Sequence, residues 1–190
     1  MSPRTTAQNE QIREQKRKLI MGAALELLAE EGYHATSIGS IAARAGVSKG
    51  LMYNYFASKE ELVRAILAEG FEQMFGAIDP NHDGVLTREE LVMYVNDLID
   101  RLFANPLYWK LYFSLTMQPK VLREFVMPIR METQDFFQLL VRYYQLQGRA
   151  NPQAEAYLFT STIEGMAIGC LYEPNYPIKD ILPLIYQRFL

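Results

Sequence analysis

Apolar residues recur every three or four positions along nearly the whole chain, the spacing of helices that bury one face. From about Gln11, Ile12, Leu19, Ala23, Leu27 and Leu28 mark a long first helix, which Gly32 closes as a C-cap. Ile38, Ile41, Ala42 and Ala45 give a short second helix that ends at Gly46, and Ser48 caps a third from Lys49 to about Phe56. Ser58-Lys59-Glu60-Glu61 has the Ser-x-x-Glu capping-box pattern and opens a longer fourth helix. Thr87-Arg88-Glu89-Glu90 repeats that signal, and further helices are predicted at about 88–104, 106–117, 119–147, 152–171 and 177–189. Asn105-Pro106, Gln118-Pro119, Gly148, Asn151-Pro152 and Glu173-Pro174 punctuate them. No alternating apolar and polar run is bounded by hairpin turns, so the expected fold class is all-α, with about nine helices.

Composition narrows the function. The 190 residues are 49% apolar and 22% charged, a globular balance, and the single cysteine, Cys170, cannot form an internal disulfide. No secretory h-region or bilayer-length apolar stretch is present, which predicts a cytoplasmic protein without a membrane partner. The net charge of -3 hides an asymmetry: residues 1–66 hold nine Lys and Arg against seven Asp and Glu, the rest ten against fifteen. Four of the early cations are Arg13, Lys16, Arg17 and Lys18, a pointer to a polyanion contact or else a solvated helix face. The two histidines, His34 and His82, fall in predicted loops, and no nucleophile elbow or phosphate loop accompanies them, so an enzyme is not expected.

The most specific stretch is Gly32-Tyr33-His34-Ala35-Thr36-Ser37, then Ile41-Ala42, Ala45-Gly46-Val47-Ser48, and Tyr53-Asn54-Tyr55-Phe56 before Ser58-Lys59-Glu60-Glu61-Leu62. Small residues where two short helices meet and a glycine at the sharp turn are helix-turn-helix chemistry, in which the second helix enters the DNA major groove. Over about residues 12–66 the chain closely resembles the TetR family of bacterial transcriptional regulators. The resemblance implies a homodimeric regulator, most simply a repressor, with a DNA-binding domain at 1–58 and an effector-binding and dimerisation domain at 59–190. Thr36, Ser37 and Ser48, at helix starts, suit phosphate. Lys49, Gly50, Met52 and Asn54 are candidates for the groove, where lysine can reach guanine O6/N7 and asparagine adenine N6/N7. Tyr53, Tyr55 and Lys59 match the family's phosphate-contacting positions, and Arg4, Arg13, Lys16 and Arg17 could add an arm.

A second motif lies outside that resemblance. Asp79-Pro80-Asn81-His82-Asp83-Gly84-Val85-Leu86-Thr87-Arg88-Glu89-Glu90 resembles the twelve-residue EF-hand calcium loop. Asp79, Asn81 and Asp83 would offer side-chain oxygens, Val85 its carbonyl, Thr87 a direct or water-bridged oxygen, and Glu90 a bidentate carboxylate to a structural Ca2+. The same residues also spell an Asp-Gly turn followed by a capping box, a metal-free corner. A calcium-binding signalling module is therefore the alternative function.

The rest of the chain is rich in aromatic residues and methionine, which at helical spacing form either plain core or the wall of an apolar cavity. Trp109, Tyr112, Phe113, Met131, Phe137, Tyr157 and Met166 are the candidate pocket for a small apolar or aromatic effector. The last two helices match in placement the pair that the family uses for its dimer. Gly165 and Gly169 would let helices approach closely, Glu164 could pair with a partner cation, and the apolar tail suits packing against that partner. The leading expectation is a ligand-responsive regulator that binds a near-palindromic double-stranded DNA operator and is released by its effector.

Overall fold

The computed structural model describes residues 6–132 and 134–190, and the side chains of 7–130 and 136–190. These residues are helical throughout, with no strand among them. The elements are α1 (Thr6–Glu30), α2 (Ile38–Arg44), α3 (Lys49–Tyr53), α4 (Lys59–Phe75), α5 (Arg88–Ala104), α6 (Pro106–Thr116) and α7 (Pro119–Val121). A π-helical stretch, Leu122–Val126, leads into α8 (Met127–Glu132), and α9 (Gln134–Leu146), α10 (Pro152–Tyr172) and α11 (Ile178–Phe189) follow. The all-α expectation is met. Helix ends fall where the caps put them: Thr87 and Glu90 form a complete capping box on α5, Asn151 caps α10, and Pro106, Pro119 and Pro152 each start a helix. Gly32, with φ of 87°, and Gly46, with φ of 65°, hold the left-handed turns that stop α1 and α2.

By packing, the chain forms two compact units. Residues up to Gly70 join Leu111–Pro128 in the first, and Phe71–Lys110 join Ile129–Leu190 in the second. The first unit is organised around α1, whose Ile20, Ala24 and Leu28 are fully enclosed, with Ile41, Met52, Leu62 and Val63 from the three following helices and Leu115 and Val121 from the later segment. In the second, Leu91, Tyr94, Val95, Leu98, Ile99 and Leu102 make one continuous face of α5, because apolar residues three and four apart share a side of a helix. There α10 packs against α5, α9 and α11. Ile185 and Phe189 of α11 are buried in this unit, and Phe189 lies edge-on to Phe159 at 5.6 Å, so those two tail residues pack on their own chain.

Gly70, inside α4, is a position where a larger residue has no room. Its backbone faces the ring of Tyr112, which is buried and whose hydroxyl donates to the Leu67 carbonyl at 3.0 Å. An added Cβ would run into that ring. Gly70→Ala should therefore destabilise the chain by about 1–3 kcal/mol despite alanine's better helix propensity. Urea unfolding would measure this, and unchanged or raised stability would show that the ring yields freely.

Candidate nucleic-acid interface

The turn between α1 and α2 is drawn together by polar groups that reach it from elsewhere in the first unit. Lys59, at the start of α4, donates from Nζ to the Tyr33 carbonyl at 2.7 Å and the Thr36 carbonyl at 2.9 Å, with its ammonium 4.2 Å from the centre of the Tyr33 ring. Tyr33 is buried, and its hydroxyl donates to Glu60 Oε1 at 2.7 Å. Gln118 completes the knot: its Oε1 accepts from the Tyr33 amide at 2.9 Å while its Nε2 donates to the Leu28 carbonyl at 2.7 Å. Lys120 brings a second ammonium to 4.9 Å from the same ring. Burial pushes the Tyr33 phenol up, and burial also lowers the Lys59 ammonium. The phenol's hydrogen bond holds the Glu60 carboxyl below its ordinary value.

Beyond this knot, Ser37 caps α2, accepting from the Ser40 amide at 3.1 Å, and Ser48 caps α3, accepting from the Leu51 amide at 3.1 Å. α3 is only five residues long and is anchored by Met52, which is fully buried. Lys49, Gly50, Tyr53 and Asn54 are exposed around it, and Tyr55 is half-buried. The helix thus presents one face of variable chemistry to solvent while the other is fixed in the core.

Two of the expected contact residues are corrected by this geometry. Met52 has no exposed surface, so it supports the reading helix and does not touch bases. Thr36 is 1% exposed, and its hydroxyl donates to the carbonyls of Leu27 at 3.1 Å and Gly32 at 2.9 Å, satisfying the end of α1 in place of a phosphate. Lys59 spends two of its three donors inside the unit, a structural role that its motif position did not disclose. Arg17 lies 5.6 Å from the Phe56 ring centre, 3.9 Å from Glu14 and 4.0 Å from Glu69, and Arg44 pairs with Glu26 and Glu30. Arg13 is exposed and Lys16 half-buried on α1, whereas Arg4 lies outside the described residues. The sequence places Gln118 and Glu60 only at helix starts and does not disclose their contacts with Tyr33. Gln118 stands 85 residues from its Tyr33 partner, and only the Gln-Pro helix start was locally legible.

The other expected sites fall out as follows. Trp109 and Met166 are buried and Phe137 is half-buried in the second unit, while Tyr112 and Phe113 are buried in the first. Tyr157 is 59% exposed, its ring 4.5 Å from that of Phe137 at the surface, so it does not line a cavity. Met131 has its side chain outside the described ones. Gly169 is covered by the ring of Tyr176 from its own chain, and Glu164 pairs with Arg130 of its own chain at 2.6 Å. Among the described residues no three His, Cys, Asp or Glu side chains are gathered as a metal site, and Glu90 turns its Oε2 to the Thr87 amide and hydroxyl.

Met52→Ala should cost about 2–5 kcal/mol of stability in denaturant unfolding, the cost of a cavity in a closed core, and a loss under about 0.5 kcal/mol would refute its anchoring role. Tyr33→Phe removes the phenol donor, so the Glu60 midpoint, followed by carboxyl carbon NMR, should climb toward the ordinary value of about 4.3. Because the folded midpoint is depressed, the stabilising contribution of Glu60 is complete above the ordinary carboxylate range and is lost as pH falls through the folded value. An unmoved midpoint in the variant would show that the hydrogen bond is not its cause.

Comparison with known proteins bears directly on this site. Residues 20–66 match the family model of bacterial regulatory proteins, tetR family. Over 66 residues the chain is 38% identical to the HTH-type transcriptional activator FasR of Mycolicibacterium smegmatis, covering 35% of this chain and 30% of that one. It is 29% identical over 161 residues to the HTH-type transcriptional regulator YvkB of Bacillus subtilis, covering 82% of both. The matches to the first three curated relatives span 22% to 40% of those proteins' lengths. Among solved structures, NalD, the secondary repressor of the MexAB-OprM multidrug efflux pump in Pseudomonas aeruginosa, superposes with a TM-score of 0.68 at 21% identity, over 92% of this chain and 96% of that one. Residues 20–66 are thus a TetR-family helix-turn-helix domain, in a chain whose fold is the one found in TetR-family regulators.

Proposed function

We propose that this protein is a DNA-binding transcriptional regulator that works as a homodimer on a near-palindromic operator and is governed by a small apolar or aromatic effector. The observation that carries the reading is α3: a five-residue helix held from below by Met52, with Lys49, Gly50, Tyr53 and Asn54 on its open side. A helix so anchored can enter a major groove without distortion, and two copies in a dimer would reach half-sites about one helical turn apart. In this reading Lys49 and Asn54 meet base edges, while Ser37, Ser48, Tyr53 and Tyr55 meet phosphate and Gly50 admits close approach of the backbone. Lys59 shapes the turn and offers its remaining donor.

Support for dimerisation comes from the second unit, where Tyr157, Leu158, Ile168 and Tyr172 of α10 and Leu184 of α11 are exposed apolar residues, and where the α10 surface at Gly165 is open. Support for an effector comes from the same unit. The Tyr94 hydroxyl is enclosed with no hydrogen-bond partner, and burial drives its phenol far up. A buried hydroxyl in that state is a ready handle for one polar group on an otherwise apolar molecule, and the Tyr94 and Phe136 ring centres lie 6.3 Å apart. Repression is the simplest mode of action, the one named for the structural neighbour NalD. No described helix is long and apolar enough to cross a membrane.

A gel shift with the DNA upstream of the protein's own gene tests the reading, with random DNA of the same length as competitor. Sequence-preferring, salt-sensitive retention is expected, and its absence at every salt concentration would sink the proposal. Asn54→Ala should relax preference at one base pair at a cost of about 1–3 kcal/mol. Lys49→Ala should likewise relax preference at the guanine it reads. Equal losses on all sequences from both variants would remove the base-reading role.

A further inference from the structure

The helix-turn-helix reading leaves the segment between α4 and α5 without a purpose. Asp79 lies there at 9% exposure, its carboxylate turned across the loop so that Oδ2 accepts from the Gly84 amide at 3.0 Å. The other oxygen, Oδ1, is enclosed and receives no hydrogen bond. A buried carboxylate oxygen with no donor is costly, and the partners that satisfy one are a proton donor or a hard cation. No donor side chain reaches it, and Asn81, Asp83, Thr87 and Glu90 follow it in the chain at the ligand spacing of a calcium loop, although the three carboxylates are not gathered around one point in this structure.

We propose that residues 79–90 bind one Ca2+, with Asp79 Oδ1 as the buried first ligand. Asn81 and Asp83 supply the next side-chain oxygens, the Val85 carbonyl the next, Thr87 a water-bridged contact and Glu90 two carboxylate oxygens. Asn81 Nδ2 donates to Asp83 Oδ2 at 3.2 Å, so two of these ligands already lie side by side. Glu90 is 9% exposed, with Oε2 accepting from the Thr87 amide and hydroxyl at 2.8 Å each. To close on calcium it must leave that cap, so the ion competes with a helix cap and the site is weak. Arg142, whose Nη1 approaches the Gly84 carbonyl at 3.4 Å, weakens it further by charge repulsion. Mixed carboxylate, amide and carbonyl oxygens in numbers above six favour calcium over magnesium, which demands a near-ideal octahedron.

Isothermal titration of the chelator-treated full-length chain with CaCl2, and separately with MgCl2, tests this. The expected result is one calcium per chain with a Kd of roughly 10⁻⁵ to 10⁻³ M, and weaker magnesium uptake. Glu90→Gln is the discriminating variant, because glutamine still serves in a capping box but offers one neutral oxygen to the ion. It should retain the helical circular dichroism of the parent while weakening calcium at least about tenfold, and Asp79→Asn should do the same; Asp83→Asn replaces either if it fails to fold. Absence of saturable heat up to about 10 mM calcium would overturn the proposal. So would parental affinity in the variants, which would place the ion elsewhere. The result is independent of DNA retention, since a chain that binds no operator could still take calcium.

Discussion

The first unit depends on one ammonium group. Lys59 Nζ closes on the backbone carbonyls of Tyr33 and Thr36, and with its position over the Tyr33 ring it holds the turn between α1 and α2. Hydrogen bonds from a charged donor contribute about 1.5–3 kcal/mol when enclosed, and partial exposure of Lys59 places these toward the lower end. Their importance is geometric. α2 contacts α1 on one side and α3 on the other, so the angle at which α3 leaves the unit follows from the turn that Lys59, Tyr33 and Gln118 hold.

That knot marks the limit of what the chain disclosed before folding. Helix boundaries were readable because their signals are local: Ser37, Ser48, Thr87 and Asn151 each satisfy an amide three residues ahead, and glycine or proline marks many of the breaks. The helix-turn-helix was readable because a tight turn between two short helices restricts residue size at Ala42, Ala45 and Gly46. The burial of Met52 was available in principle, since it sits four residues before buried Phe56 on a helix too short to have two apolar faces. The role of Gln118 was not available, because no local rule links it to Tyr33. The same holds for Glu164 and Arg130, which pair across 34 residues.

The second unit handles polar groups differently. Its interior carries the phenols of Tyr94, Tyr143 and Tyr144, all with unpartnered hydroxyls, among Phe136, Phe159 and Trp109. A core built only for stability would use phenylalanine at these positions, because an unpaired hydroxyl adds a desolvation penalty without adding packing. Their presence leaves the unit with enclosed donors that its own packing does not satisfy.

The division of labour within α3 carries an evolutionary consequence. The residue that secures the helix, Met52, and the residues that face outward, Lys49, Gly50, Tyr53 and Asn54, are separate sets. Mutations in the outward set disturb little of the buried packing, so they escape the stability threshold that removes most core substitutions. The outward surface of α3 can therefore be rewritten in a handful of steps that cost little stability while the scaffold stays intact.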